Sequence, residues 1–570
     1  MQRTLLSCWT LTLMVVGAPW ADAQDDDAPE TRPVAVVSFS GYAELKRDLE
    51  YLGARSGNPD LASLLEQLLS RFTKRHGLAG VDQDRPWGAS LSMTADGSRF
   101  PTLVFLPVSD MAKLVEALGA ALGGTVDAGD DMYEIKSNAK IYYATRKGTW
   151  AYVSERKDVL KNLPSDPLLQ LRGLYKQYDL ALNVNLQNVP AALRDMAAGL
   201  VKQDLDGLGQ VTAGLNIDRA ANRTYLDLQL TALPGRDFVK QPAADSQQPK
   251  SSQFPGIFAP DAIFSFLLDW RFGDQDEKLA KAWLDRFRDE APDAIDREQR
   301  LDDEQKTKAK KLAGKLLAIV DKTIEKEGRI NFGLVVTGAK SEDEFGDVIG
   351  EAVQEAFPNR IHETIIGAGQ VTVVAGGLTA DGAELEDATM QLASMIAEAA
   401  GEEPPKRNIN KHKGRRFHAF SVMAPQTMRA ELPLRTFRNL LGNPLKIVLA
   451  FGDDTYYAAV GEKGADAIKR AIDRSTEQHA EKPPLMASLA LGATWKLALS
   501  QRARRPNSKA EKMAASMTKE GKDHLQFSVG PVDNGLRCRI EGEDGANKLL
   551  GLILSSIVRG IDRIAGAEGE

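Results

Sequence analysis

Trp150-Ala151-Tyr152-Val153-Ser154-Glu155-Arg156 recurs later in the chain as Tyr457-Ala458-Ala459-Val460-Gly461-Glu462-Lys463, 307 positions on. Each stretch runs from an aromatic residue through an apolar strand to a small residue and an acid–base pair. At the same offset the strand around Leu182 and Val184 falls on Leu489 and Leu491. Paired strands around Ile217 and Tyr225 correspond, with a few residues of slippage, to those around Val529 and Leu536. Both halves then read strand pair, short helix, strand, helix, strand pair. A repeated order of this kind points to an internal duplication. Two unrelated domains with the same alternation would give the same order, and the spacing alone leaves both open. Either way, hairpins mixed with crossover helices predict an α+β fold. It should hold two related modules of mixed or antiparallel sheet, each with helices packed on one face.

Working outward, Val34 to Phe39 reads as the first strand. Leu61, Leu64, Leu65, Leu68, Leu69 and Phe72 form one helical stripe. Strands follow near 89–94 and 102–108, then a helix over 110–122 with Asp110 as its N-cap. Short strands at 132–136, 140–145 and 150–153, a short helix, a strand at 180–186, a helix at 190–205 and strands at 210–217 and 224–230 complete the first module, 33–233. Pro234, Pro242, Pro249 and Pro255 lie scattered among Gln, Ser, Asp and Lys, so 234–256 reads as a linker. The second module, 257–570, opens with a strand at 262–268. Charged helices follow at 277–289 and 302–327, the latter with a stripe of Leu312, Leu316, Ile319, Val320 and Ile324. Further strands are expected at 330–337, 370–375, 416–422, 446–451, 455–460, 487–491, 525–529 and 536–541. Helices are expected at 383–400, 463–474 and 546–564.

The chain has 570 residues, 43% hydrophobic and 26% charged, with a net charge of -7. This composition is that of a globular protein with substantial cores. Its mild acidity gives no overall pull toward nucleic acid or anionic membrane. Arg3, the apolar run Leu5–Val16 and the small residues Ala21 and Ala23 before Gln24 have the pattern of a secretory signal peptide over 1–23. An uncleaved anchor is the alternative, but the run falls short of the ~20 apolar residues a span needs. Residues 24–32 then form an acidic, disordered leader. Cys8 leaves with the signal, so the mature chain holds only Cys538 and no internal disulfide. Cys538 sits in an alternating strand pattern and is expected to be a buried thiol. Export without disulfides fits the periplasm or cell envelope of a bacterium.

The chemistry-bearing residues form no recognisable constellation. The six histidines lack the paired helical spacing of a zinc hydrolase, and His412 and His418 have Lys413, Arg415 and Arg416 beside them. Gly367, Gly369, Gly376 and Gly377 bracket an apolar strand but open into no phosphate-binding helix, so Gly376-Gly377 reads as a bend ending that strand. No Gly-x-Ser-x-Gly elbow is present. Asp130-Asp131 and Asp453-Asp454 read as turns. No catalytic, cofactor-binding or metal-ligating set is therefore expected. Two basic stretches stand out: 406–416, with Lys411, Lys413, Arg415 and Arg416 as a candidate anion-binding patch, and 502–512. Only Phe417 is interleaved with them, which disfavours nucleic acid. The alternative is a solvated loop and helix face. The last helix is too short and too charged to span a membrane.

Trp87-Gly88-Ala89-Ser90-Leu91, then Pro101-Thr102-Leu103-Val104-Phe105-Leu106-Pro107-Val108 with Asp110 opening a helix, resembles exported planctomycete-type bacterial proteins of unknown function. The resemblance covers about the first half, with a divergent echo in the second. It implies export and an envelope setting, and no activity. The expected role is a non-enzymatic binding or structural protein whose partner is an envelope polymer, a lipid or another protein. A carrier of an apolar ligand and an enzyme without a recognisable motif are the alternatives.

Overall fold

The computed structural model describes residues 31–129, 131–137, 140–201, 207–233, 254–259, 262–272, 274–298, 301–338, 371–423, 441–442, 444–477, 482–494 and 522–567. The expected cleavage site at Ala21, Ala23 and Gln24 lies outside them, as do most of the leader, most of the linker and the basic stretch 502–512. The chain forms two compact units: 1–239 with 531–570, and 240–530.

The first unit contains β1 (Thr31–Phe39), α1 (Tyr42–Ser56), α2 (Leu61–Phe72), β2 (Trp87–Thr94), β3 (Thr102–Pro107) and α3 (Met111–Leu122). Four strands follow: β4 (Thr125–Gly129), β5 (Met132–Lys136), β6 (Ile141–Lys147) and β7 (Trp150–Ser154). Then come β8 (Leu180–Asn185), α4 (Ala191–Val201), β9 (Leu208–Asp218) and β10 (Arg223–Ala232). Its sheet is antiparallel, in the order β4-β5-β6-β7-β3-β2-β1-β8-β9-β10. Successive side chains of a strand point to opposite faces. On one face Ala35, Val184, Val211 and Leu230 form a buried cluster. On the same face Met111, Leu114 and Val115 of α3 pack on Ile135, Ala144 and Ala151. Leu103, Phe105, Trp150 and Tyr152 point the other way and are covered by Leu160 and Leu171. These last two come from a segment of three 3-10 turns between Asp158 and Lys176, where a short helix was expected.

The second unit contains β11 (Ala262–Arg271), α5 (Asp274–Asp296), α6 (Asp303–Glu327), β12 (Arg329–Thr337), β13 (Thr372–Leu378) and α7 (Gly382–Ala400). It continues with β14 (Lys406–His412), β15 (Arg415–Val422), β16 (Leu445–Phe451), β17 (Thr455–Val460), α8 (Gly464–Glu477), β18 (Leu485–Ala490) and β19 (His524–Val532). Its sheet is also antiparallel, in the order β14-β15-β16-β17-β13-β12-β11-β18-β19. Element for element, this is the order of the first unit from β4 to β9. The expectation of helices on one face fails here. Ala467, Ile468, Ala471 and Ile472 of α8 pack on Val448, Ala450 and Ala459. Met390 of α7 packs on Leu449 and Phe451, the intervening residues of β16, which face the other way.

The chain then returns to the first unit through β20 (Gly535–Gly542) and α9 (Asp544–Ala567), which sequence reading had assigned to the second module. β20 pairs with β10 over the full run from Thr224↔Gly542 to Thr231↔Gly535. Leu550, Leu554 and Val558 of α9 pack on Leu52 and Leu61. Cys538 is buried and forms no disulfide among the described residues. Among the described residues no helix is long and apolar enough to cross a membrane.

Other differences have local causes. Thr31 and Arg32, expected in the leader, already pair in β1. Phe254, Pro255 and Gly256, expected in the linker, are buried: Phe254 meets Tyr457 edge-on at 5.4 Å. Gly376 and Gly377 do not end their strand but lie inside β13, because a side chain on Gly376 would meet the rings of Tyr457 and Phe254. Val320, expected in the buried stripe of α6, is 43% exposed, whereas Ala309 is buried.

β20 is held by a buried ion pair. Both carboxylate oxygens of Asp227 accept from Arg539 at 2.7 Å, and Tyr178 Oη donates to the same carboxylate at 3.1 Å. Replacing Arg539 by Met leaves the Asp227 charge buried and unpaired. The expected outcome is a loss of ~3 kcal/mol from the first unit by urea unfolding, with most of it regained in Asp227→Leu/Arg539→Met. Equal stability of the single variant and the parent would contradict this.

Candidate functional site

A cleft of about 280 Å³ opens on the first unit's sheet face opposite α3. Its floor is a cross-strand row: Ser90 on β2 faces Val36 on β1, which faces Asn183 on β8. Asn183 Nδ2 donates onward to Thr212 Oγ1 on β9 at 2.8 Å. Pro33 and Val34 form an apolar wall.

The rim is the turn after Pro167–Leu169, whose start is capped by Asp166 accepting from the Leu168 N–H at 3.0 Å. Leu171 turns inward and fills the space where Gly88 has no side chain: a Cβ there would stand 2.7 Å from Leu171 Cδ2. Arg172 is consequently held at φ 48°, a left-handed conformation that few non-glycine residues adopt, and is exposed. Arg172 lines the cleft and forms no ion pair among the described residues. Gln170 Oε1 is buried and accepts no hydrogen bond. Asn185 accepts from the Gln187 N–H through Oδ1, which leaves its Nδ2 to donate.

The lining thus offers the donors Arg172, Asn185 and Ser90 and one vacant acceptor, Gln170. It contains no histidine, lysine or carboxylate, so Ser90 has no base to activate it as a nucleophile. Its size falls just below the usual range of ligand sites, which starts at about 300 Å³. Sequence reading missed this site. In the sequence Ser90 reads as a strand residue within the Trp87–Leu91 segment, and no local pattern marks a row that spans three strands.

A second cluster joins Glu44 and Asp48, one turn apart on α1, to Asp179, just before β8; a carboxylate oxygen of each lies within 4.8 Å of the others. Asp48 is 1% exposed, and neither of its oxygens accepts a hydrogen bond. Arg219 contacts Glu44 and approaches Asp48 to 3.4 Å, and Arg47 also pairs with Glu44. Asp179 accepts from the Ile217 N–H at 2.6 Å. Burial, reinforced by Asp179, raises the Asp48 carboxyl to about 7. Burial also raises Asp179. Three carboxylates could ligate a hard cation. Arg219 already occupies that role, and a metal ion would have to displace it.

The candidate anion patch is largely engaged by its own unit. Lys413 pairs with Asp473 at 2.8 Å, and Arg415 donates to Thr455 Oγ1 at 3.3 Å. Arg416 donates twice to Glu386 Oε2, at 2.9 and 2.6 Å. Lys411 alone stays exposed without an ion pair among the described residues. His412 and His418 are not brought to one ligand position. His412 Nε2 lies 2.8 Å from Asp473. His418, 1% exposed, accepts from the Asn408 N–H through Nδ1 and sets Nε2 3.1 Å from Glu386. Burial lowers its pKa, opposed by the Glu386 carboxylate beside it.

No family model matches the chain, and no curated protein or solved structure matches it.

The Asp48 cluster has a signed consequence for stability. An unfolded aspartate ionises near pH 4, whereas folded Asp48 holds its proton to about pH 7. Folding therefore binds a proton between those values, and stability falls as pH rises through that window. Asp48→Asn removes the cost. The variant should exceed the parent by up to ~4 kcal/mol at pH 8 and match it near pH 4, measured by urea unfolding at each pH. A pH-independent difference would contradict this.

Proposed function

We propose that the protein is an exported, non-enzymatic binding protein of a bacterial envelope, and that the cleft bounded by Ser90, Asn183, Asn185, Gln170 and Arg172 is its ligand site. The observation that carries this is a concave site with unspent hydrogen-bonding groups: Gln170 Oε1 is buried and vacant, and Arg172 is unpaired. Buried polar groups are costly unless satisfied, so a site that keeps them is suited to a partner that satisfies them. The ligand is small, with acceptors for Arg172, Asn185 and Ser90 and a donor for Gln170 Oε1. A lining without a general base argues against hydrolysis.

The signal-like N-terminus and the resemblance of the Trp87–Val108 region to exported planctomycete-type proteins support the export half of the reading. We also propose that the two units descend from an internal duplication. The support is the shared order of nine strands; in that register Tyr457 stands where Tyr152 does, 305 positions on, and not on Trp150 as the sequence spacing has it. On this reading only the first unit keeps the cleft, since Val335 fills the second unit's corresponding row where Ser90 leaves room.

The test is native mass spectrometry of protein purified from its own host. The parent should carry a small-molecule adduct that Asn183→Leu loses while keeping its unfolding midpoint. A bare parent mass, or an adduct that Asn183→Leu retains, overturns the assignment.

A further inference from the structure

We propose that copies of this chain associate head to tail, with the acidic edge strand β4 of one copy adding to the basic edge strand β14 of the next. An edge strand presents unpaired backbone N–H and C=O groups that a strand from another chain can complete. Among the described residues β4 pairs only with β5, and β14 only with β15. Every residue of β4 is exposed, as is every residue of β14 except His412. Each edge carries an exposed aliphatic residue: Val126 at 48% and Ile409 at 46%.

The two edges have opposite charge. Asp127 lies on β4 and Asp131 just beyond it, while β14 carries Lys406, Arg407 and Lys411. Asp127, Asp131, Arg407 and Lys411 form no ion pair among the described residues, although most other cations of the β14–β15 hairpin do. Lys406 has only the exposed Glu403 at 3.6 Å. These charges bar β4 from β4 and β14 from β14 by like-charge repulsion, and leave the unlike pairing open.

Both strands also carry a register break, between Asp127 and Gly129 and between Lys406 and Asn410, with Asn408 at φ 53°. Such breaks shorten the run of new hydrogen bonds. The contact is therefore weak, reversible and dependent on charge. Each copy carries one β4 and one β14, so a contact between unlike edges can be made at either edge of every copy.

Sedimentation velocity of the purified protein tests this. The average sedimentation coefficient should rise with concentration at about 0.1 M salt and not at about 1 M, where charges are screened within about 3 Å. Arg407→Glu/Lys411→Glu makes both edges acidic, and Asp127→Lys/Asp131→Lys makes both basic. Each variant alone should weaken association at least about tenfold. An equimolar mixture of the two should restore it, because each then meets an unlike edge. That restoration also shows that both variants fold. A parent that stays monomeric at low salt overturns the proposal, as does association that either variant retains or that the mixture fails to restore. A monomer that binds anionic vesicles through β14 would assign the basic edge to a lipid surface instead.

Discussion

The buried carboxylate of Asp227 is the constraint on which the first unit depends. It is 1% exposed, accepts twice from Arg539 and once from Tyr178, and so joins three segments distant in sequence. Arg539 lies on β20, so the pair holds the C-terminal strand beside β10. Tyr178 ends the 3-10 segment that covers the sheet, and burial together with Asp227 pushes its phenol up to about 12. The arrangement needs Gly214, because a Cβ there would stand 2.4 Å from the Tyr178 ring. Asn547 adds a second tie at the start of α9. It accepts from Thr224 and donates to Tyr51 and to the Asn222 carbonyl. A long excursion of the chain can thus return to its first unit because the return site is specified by fully paired buried polar groups. Such groups penalise every register in which they do not meet.

The same device, a large side chain set over a strand glycine, covers both sheets and explains where the cleft lies. Leu171 sits over Gly88 in the first unit, and Ile257 sits over Gly333 in the second. Two residues further along β2 the row is Ser90–Val36–Asn183; two residues further along β12 it is Val335–Ser265–Ser488. Ser265 donates to the Ile257 carbonyl at 3.5 Å, and Val335 fills the second row with an apolar side chain. The first row has small and polar side chains only at its ends and a cover that stops at Arg172. The opening is what this substitution pattern leaves.

Much of this architecture was legible because hydrophobic periodicity reports burial directly. The helix over Leu61–Phe72, the Asp110 cap and most strands appear where the pattern places them, although Phe72, expected in the buried stripe, is 56% exposed. The failures have physical reasons. α1 carries Tyr42, Leu45, Leu49 and Leu52 at helical spacing, but its buried face also includes Asp48 and Gly53, which dilute the stripe. β4 and β14 are edges exposed on both faces, so they carry no alternation to detect. Phe254 looked like linker because its composition is local, whereas its burial depends on Tyr457 and Gly376 far along the chain. The cleft and the acid cluster are products of register and of packing between elements. Neither has a spacing along the chain that could mark it.

Charge follows the same logic. A net charge of -7 describes none of the places where charge matters. Inside each unit the cations are spent on particular acids: Arg539 on Asp227, Arg219 on Glu44 and Asp48, Arg416 on Glu386, Arg329 on Asp269. Each such pair was assembled from residues far apart in sequence, which is why a run of basic residues read along the chain overstated the free positive charge of 406–416. Once Lys413, Arg415 and Arg416 are accounted for, the remainder is confined to one outer strand, and the first unit's outer strand bears the opposite sign. A single added proton matters in the interior, at Asp48, because solvent there does not screen it. At the edges solvent screens every charge, and only a strand brought alongside can give those charges an effect.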